Sequence, residues 1–293
     1  MRSVLLVANP FATRVTADRL EKVERELARV AQVSVEHTAH PQHATELVRA
    51  ADQEAVVVFS GDGGFNEALN GIGRDVPIGF IPGGGTSVLS RSLGLPADPV
   101  AAAARVADAL AHDRTRRITL GCVNGRRFAF AAGIGIDAEA VRRVDDLGRD
   151  DDGRRPGDFA FAFAVVRALA SHKMHLEPAL EIKGVGRAAC VFVANGAPYT
   201  YAKRIPVPIA PEAEFELGLD MVAPMRVRRR SLPWMAYSLL TGRGRSGFLY
   251  AHDIDRIEIE CDQPMPLQVA GEDLGDVREA VFEAERGAVC VLN

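Results

Sequence analysis

The most informative chemistry in the sequence is a glycine-rich turn, Gly61–Gly64 (Gly-Asp-Gly-Gly), which lies between an apolar run and a short helical segment. Glycines let a backbone approach a phosphate closely, and the start of a helix offers free N–H groups and a positive dipole end. The run Ala55–Phe59 predicts a buried strand before the turn, and Asn70–Gly71 is a stop signal for the helix after it. On spacing alone, phosphate binding and a tight strand-to-helix turn that needs glycine explain these residues equally well.

A second glycine turn, Gly83–Gly85, repeats this design. It follows the apolar run Ile78–Ile81, and a helix is predicted to begin near Thr86. Turns that follow neighbouring parallel strands open on the same edge of a sheet, which is where α/β proteins bind ligands. Two such turns indicate a phosphate site more strongly than one would.

The familiar nucleotide-binding motifs are absent from both turns. Neither is Gly-x-Gly-x-x-Gly, because position 66 is Asn and position 88 is Val. The sequence also lacks a Gly-Lys-Ser/Thr P-loop and the His-Arg-Asp catalytic loop of protein kinases. We therefore expect the backbone itself to bind any phosphate.

The elements that position these turns alternate between strand and helix over the first part of the chain. Periodicity predicts strands and helices in the order Val4–Val7 (strand), Ala17–Val30 (helix), Val33–His37 (strand), Ala44–Ala51 (helix), Ala55–Phe59 (strand), Ile78–Ile81 (strand) and Pro99–Ala111 (helix). Strands that alternate with helices predict a parallel sheet covered by helices.

From about Arg117 the pattern changes to short strand-like runs separated by turn residues, which predicts an antiparallel β-rich second domain. The predicted strands are Arg117–Val123, Arg126–Ala131, Leu180–Lys183, Ala189–Ala194, Leu219–Val222, Arg256–Glu260, Leu267–Val269 and Val289–Leu292. Two helices, Asp158–Ser171 and Ser231–Leu240, interrupt them, and the charged, glycine-rich segment 145–157 is predicted to be a mobile loop. We predict domains at 1–122 and 123–293, with the C-terminal strand as a candidate to return to the first domain.

Composition limits the function classes. A net charge of −4 gives no general field for nucleic acid. The four cysteines form no Cys-x-x-Cys pair, which disfavours a zinc site and fits a reducing cytoplasm. No apolar run reaches the roughly 20 residues of a membrane span. We therefore expect a cytoplasmic protein.

Two further groups of residues are better explained by ordinary surface roles. His37, His40 and His43 are expected to face solvent at a strand-to-helix connection rather than to bind a metal. The arginines of Arg226–Arg230 precede Trp234 and Tyr237, a combination that could touch anionic lipid. Solvated arginines around an amphipathic helix are more common, and we favour that interpretation from the sequence.

Several segments together resemble the diacylglycerol-kinase-like lipid kinases. Ser60–Gly71 is similar to the signature Gly-Gly-Asp-Gly-Thr-x-Asn-Glu-x-x-Asn-Gly, and Ile81–Arg91 is similar to the loop Pro-x-Gly-Thr-x-Asn-Asp-x-Ala-Arg. Further similar segments, in chain order, are Asn9–Pro10, Gly133–Ala138, Ala194–Tyr201, Gly218–Asp220 and Val269–Asp273, the last of which stands where the family has Asp-Gly-Glu. The resemblance runs in order along essentially the whole chain.

The resemblance implies an N-terminal NAD-kinase-like three-layer α/β domain followed by a β-sandwich domain. It also implies ATP and Mg²⁺ as cofactors and a lipid alcohol, such as diacylglycerol, as phosphate acceptor. Its site residues, carried to matching positions, comprise Asp62 as catalytic and Asn9, Thr38, Gly61, Gly63, Gly64, Asn66, Glu67, Gly84, Gly85 and Thr86 as nucleotide-binding. The metal ligands stay unassigned.

The chain departs from the family pattern at several usually acidic positions. Ala270 replaces the aspartate of Asp-Gly-Glu, which in the family is read as the general base. Ser87-Val88 stand in place of the usual Asn-Asp, and Thr119 replaces an aspartate in a strand. We predict that Glu272 or Asp273 serves as the substitute base. A protein that binds nucleotide or lipid but transfers phosphate poorly is the alternative.

The predicted partners follow from this resemblance. A lipid acceptor requires transient contact with a membrane surface, so we expect peripheral association during catalysis. The sequence does not identify the acceptor, and a homodimer is among the oligomeric states that it leaves open.

Overall fold

The computed structural model describes residues 2–73, 75–146, 158–202, 205–241 and 243–293. By its internal packing the chain divides into two compact units, Met1–Ile118 with Gly287–Asn293, and Thr119–Arg286. The predicted domain boundary after residue 122 stays a prediction. The predicted loop 145–157 falls, beyond its first two residues, outside the described residues.

The first unit is an alternation of strands and helices. Its elements, in chain order, are β1 (Arg2–Ala8), α1 (Ala17–Ala28), β2 (Ala31–His37), α2 (His43–Ala50), β3 (Ala55–Ser60), α3 (Asp62–Gly71), β4 (Ile78–Pro82), α4 (Val88–Ser92) and α5 (Pro99–Ala111).

A parallel sheet forms the centre of this unit. β1 pairs in parallel with β2 and with β3, β3 pairs with β4, and Val291 pairs with Ile78 of β4. Every residue of β3 is buried, as expected for a strand covered on both faces. The β3 and β4 ends therefore place their following turns side by side.

Caps define where the helices around the sheet begin. The hydroxyl of Thr16 accepts the Arg19 N–H at the start of α1, and the carboxylate of Asp98 accepts the Ala101 N–H at the start of α5. Proline at the first position of α5 cannot offer an N–H, and none is needed there. The prediction for α5 is confirmed to the residue, whereas the predicted helix near Thr86 begins at Val88.

The second unit is rich in antiparallel strands. Its elements, which share β5 and β18 with the first unit, are β5 (Thr115–Val123), β6 (Arg126–Phe128), β7 (Ala131–Ile134), α6 (Ile136–Asp145), α7 (Asp158–Ser171), β8 (His175–Leu176), β9 (Leu180–Ile182), β10 (Gly186–Ala188), β11 (Val191–Ala194), β12 (Thr200–Ala202), β13 (Ile205–Val207), β14 (Leu219–Pro224), β15 (Val227–Arg228), a 3₁₀ turn (Arg229–Ser231), α8 (Leu232–Thr241), β16 (Phe248–Ile254), β17 (Arg256–Val269) and β18 (Glu272–Leu292).

Antiparallel pairing runs through β16, β14, β11, β7 and β17 in that order. β17 and β18 form a long hairpin whose two turn residues, Ala270 and Gly271, both have positive φ. The buried apolar cluster of this unit includes Phe128, Phe282 and Leu267. The predicted fold class, an α/β domain followed by a β-rich domain, is confirmed.

Three sequence predictions in this unit were wrong in detail. The run Arg126–Ala131 is two strands, β6 and β7, with a break between them. Helix α6 was not predicted, because it follows the glycine-rich Gly133–Gly135 that reads as strand and turn. The separate C-terminal runs are parts of the continuous strands β17 and β18.

Candidate functional site

The two glycine turns of the first unit touch through their backbones. The Gly83 N–H donates to the Ser60 carbonyl over 2.7 Å, which joins the end of β3 to the start of the second turn. A Cβ added to Gly84 would lie 2.9 Å from the Gly61 Cα, so a side chain there would push the turns apart. The predicted neighbourhood of the two turns is therefore present in the structure.

Asp62 connects the first turn to the helix that follows the second. One carboxylate oxygen accepts the Val88 N–H over 2.9 Å, and the other accepts the Leu89 N–H over 3.0 Å. These are donors of the first turn of α4, so the carboxylate acts as its cap although it comes from another segment. Asp62 thus fixes the position of the second turn relative to the first.

The electrostatics of Asp62 reflect opposing effects. Loss of water around the carboxylate raises its pKa above the usual value, and the N–H groups of Leu89 and Val88 and the charge of Arg91 pull it back down. Burial is the stronger effect, so this carboxylate holds a proton more readily than a free aspartate does.

The start of α3 presents backbone donors. Gly61 caps the helix in an extended conformation, and its carbonyl accepts the Phe65 N–H over 3.1 Å. The N–H groups of Asp62, Gly63 and Gly64 have no acceptor among the described residues. Nothing lies within 4 Å of a Cβ added to Gly63 or to Gly85, so both turns offer open backbone that an anion could approach.

Asn9 and Ser60 contact each other beside the first turn. The Asn9 side-chain amide donates to the Ser60 hydroxyl over 3.1 Å, and its carbonyl oxygen accepts the Phe11 N–H over 3.0 Å. A Cβ added to Gly64 would lie 2.1 Å from the Ser60 hydroxyl oxygen. Ser60 therefore occupies the space that a side chain at position 64 would need, and the sequence analysis missed this residue.

The remaining predicted nucleotide contacts lie in the same unit with different surroundings. Thr38 is buried at the end of β2, where its N–H donates to the Ala8 carbonyl over 3.0 Å. Asn66 is 2 % exposed, and both polar atoms of its side chain lack a hydrogen-bond partner among the described residues. Glu67 is half-buried in α3, and Thr86 is half-buried between Gly85 and the left-handed Ser87.

Glu272 and Asp273, the predicted substitute bases, lie in the second unit at the start of β18. Glu272 is exposed and pairs with Arg126 over 2.8 Å. Asp273 is bound by two nitrogens of Arg142, over 2.7 Å and 3.1 Å. Burial pushes the Asp273 pKa up, but hydrogen bonds from Arg142 and the Gly275 N–H outweigh it and leave the pKa below the usual value.

Buried polar groups next to these residues were not assigned by the sequence analysis. The carboxylate of Asp137 accepts from the Tyr199 hydroxyl over 2.7 Å and from the Gln268 amide over 2.6 Å. The Gln268 carbonyl oxygen in turn accepts the Gly271 N–H over 2.9 Å. This network supports the hairpin turn that carries Ala270. Its signals in the sequence were the family-like segments Gly133–Ala138 and Ala194–Tyr201, which contain Asp137 and Tyr199.

Ala270 and Thr119, which replace aspartates of the family pattern, both lie in the second unit. Ala270 is the first turn residue of the β17–β18 hairpin, with a φ of 50°. Thr119 is fully buried in β5, and its hydroxyl has no partner among the described residues. Its carbonyl accepts the Asn195 side-chain amide over 2.7 Å. Neither position offers a charged group.

One cluster of side chains has the composition of a metal site. Ligand atoms of His40, His43 and Glu46 lie within 4.8 Å of one another. The Ala39 N–H donates to His43 Nδ1 over 3.0 Å, which in the neutral ring places the proton on Nε2. That tautomer leaves no free nitrogen for a metal, so we keep the interpretation as surface histidines.

A known protein family matches the part of the chain that contains the two glycine turns. Residues 3–123 match the model of the diacylglycerol kinase catalytic domain. The resemblance to this family of lipid kinases, predicted from the sequence, is thereby confirmed for the region that carries both glycine turns. The matched region ends at the close of β5, so it does not include Glu272 or Asp273.

Relatives with curated names carry the same assignment. A Streptococcus pneumoniae protein named "Putative lipid kinase" is 33% identical over 153 residues, which are 50% of this chain and 51% of that protein. A Bacillus subtilis protein named diacylglycerol kinase is 27% identical over 143 residues, 46% of each chain. The chain thus spans about half the length of the curated relatives it matches.

Solved structures are similar over nearly the whole chain. A crystal structure from Bacillus anthracis, named as a "putative diacylglycerol kinase", is 20% identical with a TM-score of 0.78, covering 99% of this chain and 95% of that one. An NAD kinase from Archaeoglobus fulgidus, in complex with ATP, is 14% identical with a TM-score of 0.53, covering 99% and 93%. At these identities the likeness establishes the fold.

Proposed function

We propose that this protein is a lipid kinase that transfers the γ-phosphate of ATP to a hydroxyl of diacylglycerol or a related lipid alcohol. The observation that carries the proposal is the pair of glycine turns that touch through Gly61 and Gly84, beside free N–H groups at the start of α3. The match to the diacylglycerol kinase catalytic domain over residues 3–123 supports it independently.

The turns fit a nucleotide triphosphate by their backbone chemistry. The N–H groups of Asp62, Gly63 and Gly64 point from a helix start, where partial positive charge accumulates. Phosphoryl transfer depends mainly on positioning and on neutralising charge at the transferring group. Bound ATP would supply that group, the γ-phosphoryl group. The chain's contribution is to hold the two turns at one spacing, through Asp62 and the Gly83–Ser60 hydrogen bond.

Magnesium fits the described residues less well than the triphosphate does. Mg²⁺ is usually bound by one or two carboxylates together with substrate phosphates and water. Both oxygens of Asp62 already accept N–H groups from α4. We therefore propose Mg²⁺ as a companion of the ATP phosphates and assign it no ligand in the chain.

Of the two candidate bases, Glu272 is better suited to accept the proton of an acceptor hydroxyl. It is exposed, and Arg126 is its one ion-pair partner among the described residues. Asp273 is bound by two nitrogens of Arg142, which lowers its pKa and makes it the weaker base. A lost general base typically costs about 10²–10⁴-fold in rate, so catalysis survives weak substitutes.

A binding protein without efficient phosphoryl transfer is the second candidate function. The observation that favours it is the replacement of usually acidic residues of the family pattern by uncharged ones. Ala270 and Thr119 carry no charge, and Asp62 is engaged by backbone donors. Such a protein would bind nucleotide at the glycine turns and turn it over slowly or not at all.

The two candidates separate in a single experiment on the purified protein. Thermal shift with ATP reports binding, and a coupled assay reports ATP loss with and without a panel of lipid alcohols, Mg²⁺ and EDTA. The kinase predicts ATP loss that requires both lipid and Mg²⁺ and falls about 10²–10⁴-fold in Glu272→Gln. ATP-dependent stabilisation without ATP loss for any acceptor identifies the binder instead.

A further inference from the structure

An exposed aromatic pair stands on helix α8 of the second unit. Trp234 and Tyr237 are 45 % and 46 % exposed, and their rings stack with centroids 5.6 Å apart. Met235 and Ser238, one position further along the helix, are 8 % and 7 % exposed. The helix is therefore held by one face and presents the aromatic pair on the other.

In the sequence, arginines precede and follow the helix that carries this pair. From Met225 to His252 the sequence has no Asp or Glu, and its arginines are Arg226, Arg228, Arg229, Arg230, Arg243 and Arg245. Arg230, Trp234, Tyr237 and Thr241 follow one another at spacings of four, three and four, which places them along one stripe of a helical surface.

The local structure holds the chain segments that carry these arginines next to the two ends of α8. The Ser231 hydroxyl donates to the Arg228 carbonyl over 2.8 Å and accepts its N–H over 3.1 Å, which closes the turn carrying Arg229 and Arg230. After the helix, Gly244 packs against Trp234 so closely that an added Cβ would lie 2.5 Å from the indole ring. The chain around Arg243 is thus held against the tryptophan.

Three of the arginines carry uncompensated charge. Arg226 pairs with Glu177 and Arg245 pairs with Glu212. Arg229, Arg230 and Arg243 are exposed and have no carboxylate partner among the described residues. In a chain whose net charge is −4, this is a local positive surface of opposite sign.

Aromatic rings beside unpaired arginines match the chemistry of an anionic bilayer surface. Trp and Tyr favour the membrane–water interface, where an apolar ring and a polar tip are both accommodated. Arginines near an anionic leaflet strengthen binding by about fivefold each. Met225, 39 % exposed, adds a further apolar side chain to the same chain segment.

We infer that this α8 surface, comprising Arg229, Arg230, Trp234, Tyr237 and Arg243, docks the protein on anionic membranes. The inference rests on the proposed function in that a lipid alcohol is reached from a bilayer. It revises the interpretation as solvated arginines, because both rings are exposed and three of the arginines have no carboxylate partner among the described residues.

The test uses the fact that Trp234 is the only tryptophan of the chain. The whole 293-residue chain is mixed, without ATP, with vesicles of phosphatidylcholine alone or with phosphatidylserine, some of which carry brominated acyl chains. We expect Trp234 fluorescence to shift to the blue and to be quenched by the brominated chains on the anionic vesicles. Flotation of the same samples gives the bound fraction.

Two sets of matched variants decide which residues bind. Arg229→Gln/Arg230→Gln/Arg243→Gln should weaken binding to anionic vesicles by roughly 100-fold, from about fivefold per arginine. The control Arg49→Gln/Arg105→Gln/Arg278→Gln removes the same charge from exposed arginines elsewhere and should leave binding near that of the parent. Tyr237→Ala should reduce binding while leaving Trp234 as reporter.

Unquenched Trp234, or equal losses in the two arginine variants, would overturn the inference. Fluorescence changes that track self-association in sedimentation, without vesicles, would also overturn it in favour of a second copy as the occupant. Turnover with a short-chain, water-dispersed diacylglycerol separates this result from the proposed function. Vesicle binding without turnover of any acceptor removes the kinase and keeps the docking surface, and turnover without vesicle binding does the reverse.

Discussion

Single residues explain why the two glycine turns keep their spacing. Asp62 is the clearest case, since its carboxylate caps α4 from a different segment of the chain. A residue of the glycine-rich segment Gly61–Gly64 thus has a structural task that does not depend on ligand. The same residue can affect both stability and turnover, and experiments must measure the two separately.

Asp62→Asn should lower both stability and turnover. The amide keeps one acceptor oxygen but turns a donor toward a second N–H group, so one of the Val88 and Leu89 hydrogen bonds is lost. We expect the free energy of unfolding to fall by roughly 1–3 kcal/mol in chemical denaturation, together with a large drop in phosphoryl transfer.

Asp98→Asn is the matched control for this variant. Asp98 caps α5 by accepting a single N–H, from Ala101, and an asparagine can do the same. It should leave both unfolding and turnover close to the parent. Equal turnover for Asp62→Asn and the parent would remove Asp62 from the candidate site.

Ser60 and Gly64 should be coupled because they compete for one space. In Gly64→Ala the new Cβ would overlap the Ser60 hydroxyl, and overpacking of this kind costs roughly 1–3 kcal/mol. Adding Ser60→Gly removes the obstruction, so the double variant should be more stable than Gly64→Ala alone. Urea denaturation of the four-member cycle measures the coupling.

Gly63→Ala is the control for that cycle. Nothing lies within 4 Å of its added Cβ, and alanine is the better helix former by about 0.5–1 kcal/mol. It should therefore be neutral or slightly stabilising. If Gly64→Ala behaves like Gly63→Ala, the steric account of position 64 is wrong.

At the scale of elements, the β17–β18 hairpin shows a local conflict between residue and conformation. Ala270 and Gly271 have φ values of 50° and 79°, the combination that favours Asn-Gly or Asp-Gly. A non-glycine residue with positive φ costs roughly 1–2 kcal/mol, and Asn tolerates it best. We expect Ala270→Asn to raise the free energy of unfolding by about 1 kcal/mol.

Ala270→Val provides the opposite test of the same turn. A β-branched side chain disfavours positive φ more than alanine does, so this variant should be less stable than the parent. Thermal unfolding of the three proteins should rank Asn above Ala above Val. Any other order would show that the turn conformation does not set the preference at position 270.

The buried Asp137 network should give the second unit a dependence on pH. Burial raises the pKa of Asp137 above its usual value of 3.8, and the hydrogen bonds from Tyr199 and Gln268 only partly oppose this. Between 3.8 and the folded pKa, the folded state holds more protons than the unfolded state. The free energy of unfolding therefore falls as pH rises through that interval.

Asp137→Asn should remove this dependence while keeping an acceptor oxygen for the network. We expect the variant to gain stability relative to the parent as pH rises, measured by denaturant unfolding from about pH 4 to about pH 8. Curves that stay parallel over this range would mean that the pKa of Asp137 is not raised in the folded state.

The strand-and-helix alternation of the first unit could be predicted because its signals are local. The buried run Ala55–Phe59, the helix signal Pro99–Ala111 and the stop at Asn70–Gly71 each occupy a few consecutive residues. The structure places β3, α5 and the end of α3 at or within one residue of those positions. Local propensity and burial agree in these elements, so their positions could be predicted from a single sequence.

The second unit was harder to predict because its strands depend on distant partners. β17 and β18 are continuous only because Arg256–Val269 and Glu272–Leu292 pair with each other and with strands far away in the chain. Charged residues in β18 obscured its strand pattern. Helix α6 was missed because the preceding glycines read as a strand-rich segment.

In the candidate site, too, features with a local sequence signal could be predicted, and features that depend on distant contacts could not. The glycine turns were visible because glycine spacing reports a backbone requirement directly. The use of Asp62 as a cap for α4 could not be seen, because residues 62 and 88 become neighbours only when β3 and β4 pair. Ser60 was overlooked because a single serine before a glycine turn carries no pattern.

At the scale of the whole molecule, the charge distribution says more than the net charge. The chain carries −4 overall, yet the segment Met225–His252 has arginines and no acidic residue. None of the helices in the described part of the chain has the length and apolar composition needed to cross a membrane. The α8 surface, proposed to dock the protein on anionic membranes, lies within this segment.

Phosphoryl transfer from ATP to a lipid alcohol at the glycine turns is the activity proposed for this protein. Its most direct test is to incubate the protein with γ-labelled ATP, Mg²⁺ and a panel of lipid alcohols in mixed micelles, and to separate the lipid products. We expect a labelled phospholipid from at least one acceptor, lost in Asp62→Asn and kept in Asp98→Asn. A protein that binds ATP but labels no lipid would contradict it.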